Sequence, residues 1–223
     1  MEKIIIRLRN ILLIKKIYKH TFLIIYFFAL SSLTHNALSS PEEWKSDPEK
    51  FINYFTSKGI NDILQSNKLV EEKTLLFRSL LRNTFDFSTI SKFVIGRNWK
   101  NTSELDQEKF KKLFEDIIVI TWSRRFGDYD GQSLIYDKSN LDGENGFLVQ
   151  TFILNKNDNS KINIQWRLRD RPDGLKIVDI IVEGVSMAIT YRQDYNSVMR
   201  RKGGINGLIL RLEKQLSKKL KIK

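Results

Sequence analysis

The spacing of apolar residues changes near residue 131, and this change restricts the chain to folds that combine helices with a separate sheet. Before it, apolar residues recur three and four positions apart, which predicts amphipathic helices. After it, residues 161–169 (KINIQWRLR) alternate, with Ile162, Ile164, Trp166 and Leu168 on one face and polar side chains on the other. One face of this predicted strand is therefore buried and the other is solvated.

Four strands are predicted, at residues 132–137, 147–154, 161–169 and 175–183. The turn-forming sequences DG, NDN and RPDG separate them, and these connections are too short for parallel crossovers. Helical patterns precede the strands and follow them. The chain therefore predicts an α+β fold, with helices packed on one face of a mainly antiparallel sheet of four or slightly more strands.

The helical segments can be placed by their start and stop signals. Asp47 followed by a proline predicts a helix start, and the longest helix is predicted to begin near Thr102 or Ser103, where SELD resembles a capping box. A short helix capped by Asp86 or Ser88 is predicted to stop at the glycine at position 96. The other predicted helices span residues 70–82, 186–201 and 205–219.

Residues 1–39 have the composition of a secretory signal peptide. Six basic residues precede an uncharged apolar run at residues 21–30, and a small-residue stretch ends near Ala37 and Ser39. The run of ten apolar residues is short for a membrane span, which needs about 20. We expect cleavage, with retention as an anchor as the alternative, and a single domain at residues 40–223.

The predicted domain offers little reactive chemistry. The sequence has no cysteine, and both histidines, His20 and His35, lie in the leader. Zinc sites built on Cys or His, cysteine nucleophiles and Ser-His-Asp triads are therefore excluded from the domain. We expect no cofactor, no metal and no enzymatic activity.

The acid–base pair that remains is Asp179 and Glu183, four residues apart on one predicted strand. We expect both on the solvated face, as cross-strand partners of Arg167 and Arg169.

Basic residues dominate the charge, with a formal net charge of +12. Such an excess fits nucleic acid or an anionic membrane surface, and the predicted export leaves no nucleic-acid partner to expect. Arg124 and Arg125 follow the apolar stripe of the long helix, where a helix C-terminus favours cations. Contact with a phosphate is the alternative role for this pair.

Several motifs together point to a known family. The run QWR at residues 165–167 is followed, one hairpin later, by EGVSM at residues 183–187. Residues 93–99 (FVIGRNW), the F-x-x-x-F spacing at residues 110–114 and residues 202–208 (KGGINGL) accompany them. Over about residues 48–216 the chain resembles the MlaC-type periplasmic phospholipid-binding proteins, also called the toluene-tolerance family. It departs from the family pattern in a longer, more basic leader and one extra residue in the glycine-rich run.

The resemblance implies a hydrophobic pocket between the sheet and its helices, with acyl chains inside and the head group near solvent. It implies a monomeric periplasmic carrier that moves phospholipid between an inner-membrane ABC transporter complex with an MCE-domain protein and an outer-membrane lipoprotein complex. This traffic would maintain outer-membrane lipid asymmetry. An acyl chain of ~16 carbons exposed to water costs on the order of 12 kcal/mol, so a carrier must cover it.

Six residues are expected to contact lipid: Val185, Ile164, Trp166, Phe114, Ile118 and Trp122. Val185 of the EGVSM motif is the first of these, and a charge there, as in Val185→Glu, is expected to remove co-purifying lipid. Two alternatives stay open. The same fold could carry a polycyclic lipid such as a hopanoid, or it could be an enzyme with an NTF2-like shape. The enzyme would need a buried carboxylate deep in its cavity, and Asp179 is the first residue to check.

Overall fold

The structure is a computed structural model that describes residues 43–129, 131, 133–154 and 160–221. The predicted signal peptide lies outside the described residues. Within them the helices are α1 (Pro48–Ser57), α2 (Val70–Thr84), α3 (Phe87–Ile95), α4 (Glu104–Ser123), α5 (Met187–Arg201) and α6 (Gly204–Lys221). The strands are β1 (Ser133–Leu141), β2 (Gly146–Leu154), β3 (Lys161–Arg169), β4 (Lys176–Val182) and β5 (Val185–Ser186).

The predicted helix caps form as hydrogen bonds. The Asp47 side chain accepts from the backbone N–H of Lys50 at 2.9 Å, and Asp86 caps α3 by accepting from the backbone N–H of Thr89 at 2.8 Å. Ser103 caps α4 in the same way. These contacts satisfy backbone donors that the first helical turn leaves unpaired.

The π-helical segment Lys58–Leu64 continues α1 without a break. Its Ile60 and Ile63 are buried in the same core as the apolar face of α1. The π-helical segment therefore adds to the apolar surface that α1 buries in this core.

The sheet has the order β1-β2-β3-β4-β5, and all of its neighbouring strands are antiparallel. The α+β fold predicted from the sequence is confirmed. β1 runs past its predicted end at Asp137, because the β1–β2 register shifts between Tyr136 and Lys138 and pairing then resumes to Leu141. A bulge of this kind lets an edge strand continue through a polar stretch.

The described residues form two hydrophobic cores. In the first, α1 packs on the sheet face that carries the fully buried Ile164, Trp166 and Leu168, which is the face predicted to be dry. The second lies among α3, α4, α5 and α6, around Phe110 and Tyr195. Of the helices in the described part of the chain, none has the length and apolarity to span a bilayer.

Candidate functional site

A cavity of about 150 Å³ lies between the sheet and the helices. Its walls come from α1 and the π-helical segment, from α2 to α5, and from β3 and β4, and they are almost entirely apolar. The apolar lining consists of Phe55, Gly59, Ile63, Leu64, Phe77, Leu80, Leu81, Phe85, Phe87, Ile90, Phe114, Ile118, Trp122, Phe126, Trp166, Val178, Ile180, Met187, Ala188 and Tyr191. Two charged residues, Arg125 and Asp179, complete it.

The cavity lies where the two cores meet. Phe85, Phe87 and Ile118 pack against both cores and also line the cavity. The sheet-side core is filled by β-branched and aromatic residues on a pleated surface, and the other core by side chains between helices. The cavity therefore follows from how two separately packed layers join rather than from any one element.

Aromatic rings form one wall of the cavity. The ring of Phe114 makes edge contacts with Phe87, at a centroid distance of 6.3 Å, and with Tyr191, at 5.3 Å. Burial, together with nearby Asp194, raises the pKa of the Tyr191 hydroxyl to about 12, so this residue is neutral at physiological pH. Aromatic pairs in this geometry pack favourably, which keeps the wall rigid.

Trp166 supplies the floor from β3, and its one polar group is satisfied. The indole Nε1 donates to Thr151 Oγ1 at 2.9 Å, and that hydroxyl donates in turn to the backbone oxygen of Ile164 at 3.0 Å. The ring also meets Phe55 of α1 edge-on at 5.6 Å. A large side chain is thereby fixed at the cavity without an unpaired buried donor.

Four of the six residues expected to contact lipid line this cavity: Trp166, Phe114, Ile118 and Trp122. The other two do not belong to the lining. Ile164 is fully buried in the sheet-side core, and Val185 lies on β5 with 37% of its surface exposed. Met187, two residues after Val185, is in the wall.

The sequence analysis did not assign the walls that come from α1, α2 and α3. Phe55, Phe77 and Phe87 are examples, since each belongs to an apolar stripe that an ordinary core would also use. The signal available for them was helical periodicity, and periodicity does not distinguish a filled contact from one beside a cavity.

The expectation that Asp179 lies on the solvated face is wrong. Asp179 is 6% exposed, and its carboxylate accepts from the backbone N–H of Ala188 at 2.9 Å and from Ser186 Oγ at 2.5 Å. Arg167 Nη1 lies 3.6 Å away. The physical reason is that α5 starts directly after β5 and its first turn covers this part of β4.

The other predicted charge pairs also differ from expectation. Glu183 lies in the turn after β4, at a φ of 48°, and its carboxylate accepts from the backbone N–H of Asn163. Arg169 pairs with Asp142 at 2.7 Å, and Arg167 with the same carboxylate at 3.0 Å. Only the predicted pairing of Arg167 with Asp179 across the strands is confirmed.

The described part of the chain holds no group of three or more His, Cys, Asp or Glu residues placed to bind a metal ion. The buried carboxylate of this part, Asp179, accepts from donors at a helix start, and apart from Arg125 the remaining lining is hydrocarbon and aromatic. Chemically, such an arrangement removes apolar ligand surface from water.

Comparison with known proteins identifies the family. The sequence profile of the MlaC protein family matches residues 56–214, well over half of the chain. The chain belongs to the MlaC family. The resemblance predicted from the QWR and EGVSM motifs is therefore confirmed.

Similar MlaC-family proteins agree in sequence and in fold. The intermembrane phospholipid transport system binding protein MlaC of Haemophilus influenzae is 22% identical over 180 residues, which cover 78% of this chain and 84% of the relative. A phospholipid-binding protein from Ralstonia solanacearum, solved in complex with a phospholipid, superposes with a TM-score of 0.71 at 17% identity. That match covers 79% of this chain and all of the other, and it shows that the fold is shared.

Proposed function

We propose that this protein is a periplasmic carrier that holds the acyl chains of a phospholipid in its cavity and moves the lipid between membranes. The observation that carries the proposal is the apolar cavity between sheet and helices, in which Arg125 and Asp179 are the charged lining residues. The Haemophilus influenzae relative is named for phospholipid transport, and the Ralstonia solanacearum protein was solved with a phospholipid. Both support phospholipid as the ligand.

The size of the cavity bears on how lipid enters. Its volume of about 150 Å³ is below the ~300–1,000 Å³ typical of pockets for drug-sized ligands. Two acyl chains therefore require the walls to move apart. We propose that the segment from α1 through the π-helical turn to α2 moves relative to the sheet, since Phe55, Ile63 and Phe77 of this segment line one side.

A carrier needs no reactive group, and the chemistry of the site favours a carrier over an enzyme. An enzyme of this shape would depend on Asp179, the buried carboxylate of the described residues. Both of its oxygens already accept hydrogen bonds from the start of α5. We therefore propose a structural role for Asp179 and no catalytic activity for the protein.

The proposed route runs between an inner-membrane ABC transporter complex with an MCE-domain protein and an outer-membrane lipoprotein complex. This traffic would maintain the lipid asymmetry of the outer membrane. Support comes from the secretory composition of residues 1–39, which leaves residues 40–223 as the exported domain, and from family membership. We propose that this domain acts as a monomer.

The decisive experiment identifies the co-purifying lipid. The exported protein is purified, extracted with organic solvent, and the extract is analysed by mass spectrometry. We expect diacyl phospholipid in near-equimolar amount. A hopanoid or other polycyclic lipid would replace the proposed ligand, and protein that carries no lipid after purification would contradict the carrier function.

Charge substitutions locate the lipid in the cavity. Ile118→Glu places a carboxylate in the apolar wall and is expected to reduce co-purifying lipid at least ~tenfold, because burying an unpaired charge beside hydrocarbon is unfavourable. We propose that lipid also reaches Val185, and Val185→Glu is expected to cause a smaller loss, since a carboxylate on the half-exposed β5 can turn towards water.

Leu210→Glu is the matched control. Leu210 is apolar, 65% exposed on α6 and outside the cavity, so the lipid content of the Leu210→Glu variant should equal that of the wild type. Circular dichroism checks the fold of each variant, and the larger neutral Ile118→Trp replaces Ile118→Glu if the latter does not fold. Equal lipid content in all variants would place the ligand elsewhere.

A further inference from the structure

Three cationic side chains come together where α4 ends at the cavity. Arg125, half-buried, is part of the cavity lining. The guanidinium of Arg124, the residue before it, donates to the backbone carbonyl of Lys219 near the end of α6. This contact ties the end of α4 to the end of α6, and the Lys219 ammonium lies near enough to both arginines to feel their charge.

The surroundings of the Lys219 ammonium are both buried and positively charged. The pKa of the Lys219 ammonium is lowered, first by burial and then by the positive charges of Arg124 and Arg125. Repulsion among three cations opposes the folded arrangement. An anion placed among them would offset that repulsion.

The rest of the lining restricts where the polar end of an amphiphile can lie. Trp122 and Phe126, on either side of Arg125 in the sequence, are both in the wall, and the second charged lining residue, Asp179, is held by the start of α5. A lipid with its acyl chains among the aromatic residues therefore meets positive charge at one place in the lining. A guanidinium matches the oxygens of a phosphate in bidentate geometry, which makes phosphate the fitting anion.

We propose that Arg125, with Arg124 and Lys219 beside it, binds the phosphodiester of the lipid head group, so that the cavity selects phosphate-bearing lipids over neutral lipids with the same acyl chains. The inference rests on the proposed carrier function. It also orients the lipid, with its head group at the end of α4 and its acyl chains directed towards Tyr191 and Met187 of α5.

The test measures selectivity rather than binding alone. The full exported domain is stripped of lipid and reloaded from detergent micelles that hold equal amounts of dioleoyl phosphatidylglycerol and dioleoylglycerol. Bound lipid is then counted by mass spectrometry. We expect the wild type to prefer the phospholipid at least ~tenfold, the scale of one charge-assisted hydrogen bond.

Substitutions assign the preference to Arg125. Arg125→Gln is expected to reduce the preference to about twofold, because the neutral amide no longer pairs with the charge of the phosphodiester. Arg125→Lys keeps the positive charge but lacks the planar guanidinium with its paired N–H donors, so it should give an intermediate preference. Arg97→Gln, at an exposed arginine outside the cavity, is the matched control and should retain the full preference.

A second readout follows Lys219 directly. In NMR titrations, bound phosphatidylglycerol should raise the pKa of Lys219 towards its ordinary value of 10.5, whereas bound dioleoylglycerol should leave it lowered. Inorganic phosphate titrated into the stripped protein distinguishes the source of the anion. Saturation by phosphate without competition from phospholipid would identify a site for free phosphate and overturn the head-group proposal.

The remaining outcomes separate the two hypotheses. Wild-type protein that takes up both lipids equally, or an Arg125→Gln variant with an unchanged preference, would overturn the phosphate subsite and leave the carrier intact. Wild-type protein that takes up neither lipid would instead contradict the proposed function itself.

Discussion

Asp179 holds the first turn of α5 against β4 through both of its carboxylate oxygens. One accepts from the Ala188 backbone and the other from the Ser186 hydroxyl, which in turn accepts from the backbone N–H of Ile189. Asp179 therefore connects the Ser186 cap of α5 to strand β4 of the sheet. Because Ala188 and Met187 line the cavity, the same contacts fix one of its walls.

Removal of this carboxylate should weaken the fold. We expect Asp179→Ala to lower the free energy of unfolding by at least ~1.5 kcal/mol, because a buried cap to a helix start is lost and Arg167 loses a neighbouring anion. Urea denaturation measures the change. Asp173→Ala is the control, since Asp173 is 68% exposed in its pair with Lys176 and such pairs contribute less than ~1 kcal/mol. Equal stability of Asp179→Ala and the wild type would contradict the capping role.

Individual residues also show what alternation along a strand can and cannot predict. It placed Trp166 correctly with Ile164 and Leu168 on one face, because the pleat determines which residues share a face, and the apolar face is the buried one. It misplaced Asp179, because burial of the opposite face of β4 depends on where α5 begins, 8 residues further along the chain. The direction of a helix after a tight turn is a tertiary property that local polarity does not encode.

Between elements, Asp86 joins the start of α3 to the turn after β3. Its carboxylate caps α3 through Thr89 and also accepts from Arg171 Nε at 2.8 Å. Burial acts to raise the pKa of Asp86, but the hydrogen bonds from Thr89 and the charge of Arg171 outweigh it, so the pKa is lowered. Asp142, which lies in the β1–β2 turn and pairs with Arg169 and Arg167 of β3, also has a lowered pKa.

These shifts predict acid sensitivity. A carboxylate whose pKa is lower in the folded state contributes stability above its ordinary pKa of 3.8, and this contribution is lost as the pH falls below that value towards the folded pKa. We expect the free energy of unfolding to decrease once the pH falls below about 4. Asp86→Asn should make this dependence of the free energy on pH less steep. Denaturation series from pH 2 to 7 measure both. A variant with the slope of the wild type would show that Asp86 does not supply this dependence.

The elements themselves were largely predictable. The caps at Asp47 and Ser103, and the glycine pair that separates α5 from α6, are local signals, and the structure places helix boundaries at each. The extension of β1 beyond Asp137 was not predicted, because a bulge restores pairing only in the presence of β2.

For the whole molecule, the cavity is the feature that sequence could not supply. Each wall residue is apolar for the same reason that a core residue is, so no pattern in the chain marks a gap between them. The family motifs supplied the expectation of a pocket, and the packing of a sheet-side core against a helix core shows where it lies. Four expected residues reached its lining through their positions on β3 and α4.

Because the two cores meet at a cavity, we expect bound lipid to fill it and to stabilise the folded state. A ligand that binds the folded state alone stabilises it by about 4 kcal/mol at a thousand times its Kd. For a domain of this size each kcal/mol raises Tm by roughly 2–4 °C, so we expect the loaded protein to melt about 8–16 °C above the stripped protein. Scanning calorimetry of both forms measures the difference.

Hydrogen exchange should show where the stabilisation arises. Protection should increase in α1, in the π-helical segment Lys58–Leu64 and in α2, because their side chains gain acyl contacts where the two cores now leave a cavity. β1, which supplies no lining residue, should change little and serves as the internal reference. A uniform increase across all elements would contradict a lipid held between the two cores and would indicate global stabilisation by a ligand bound elsewhere.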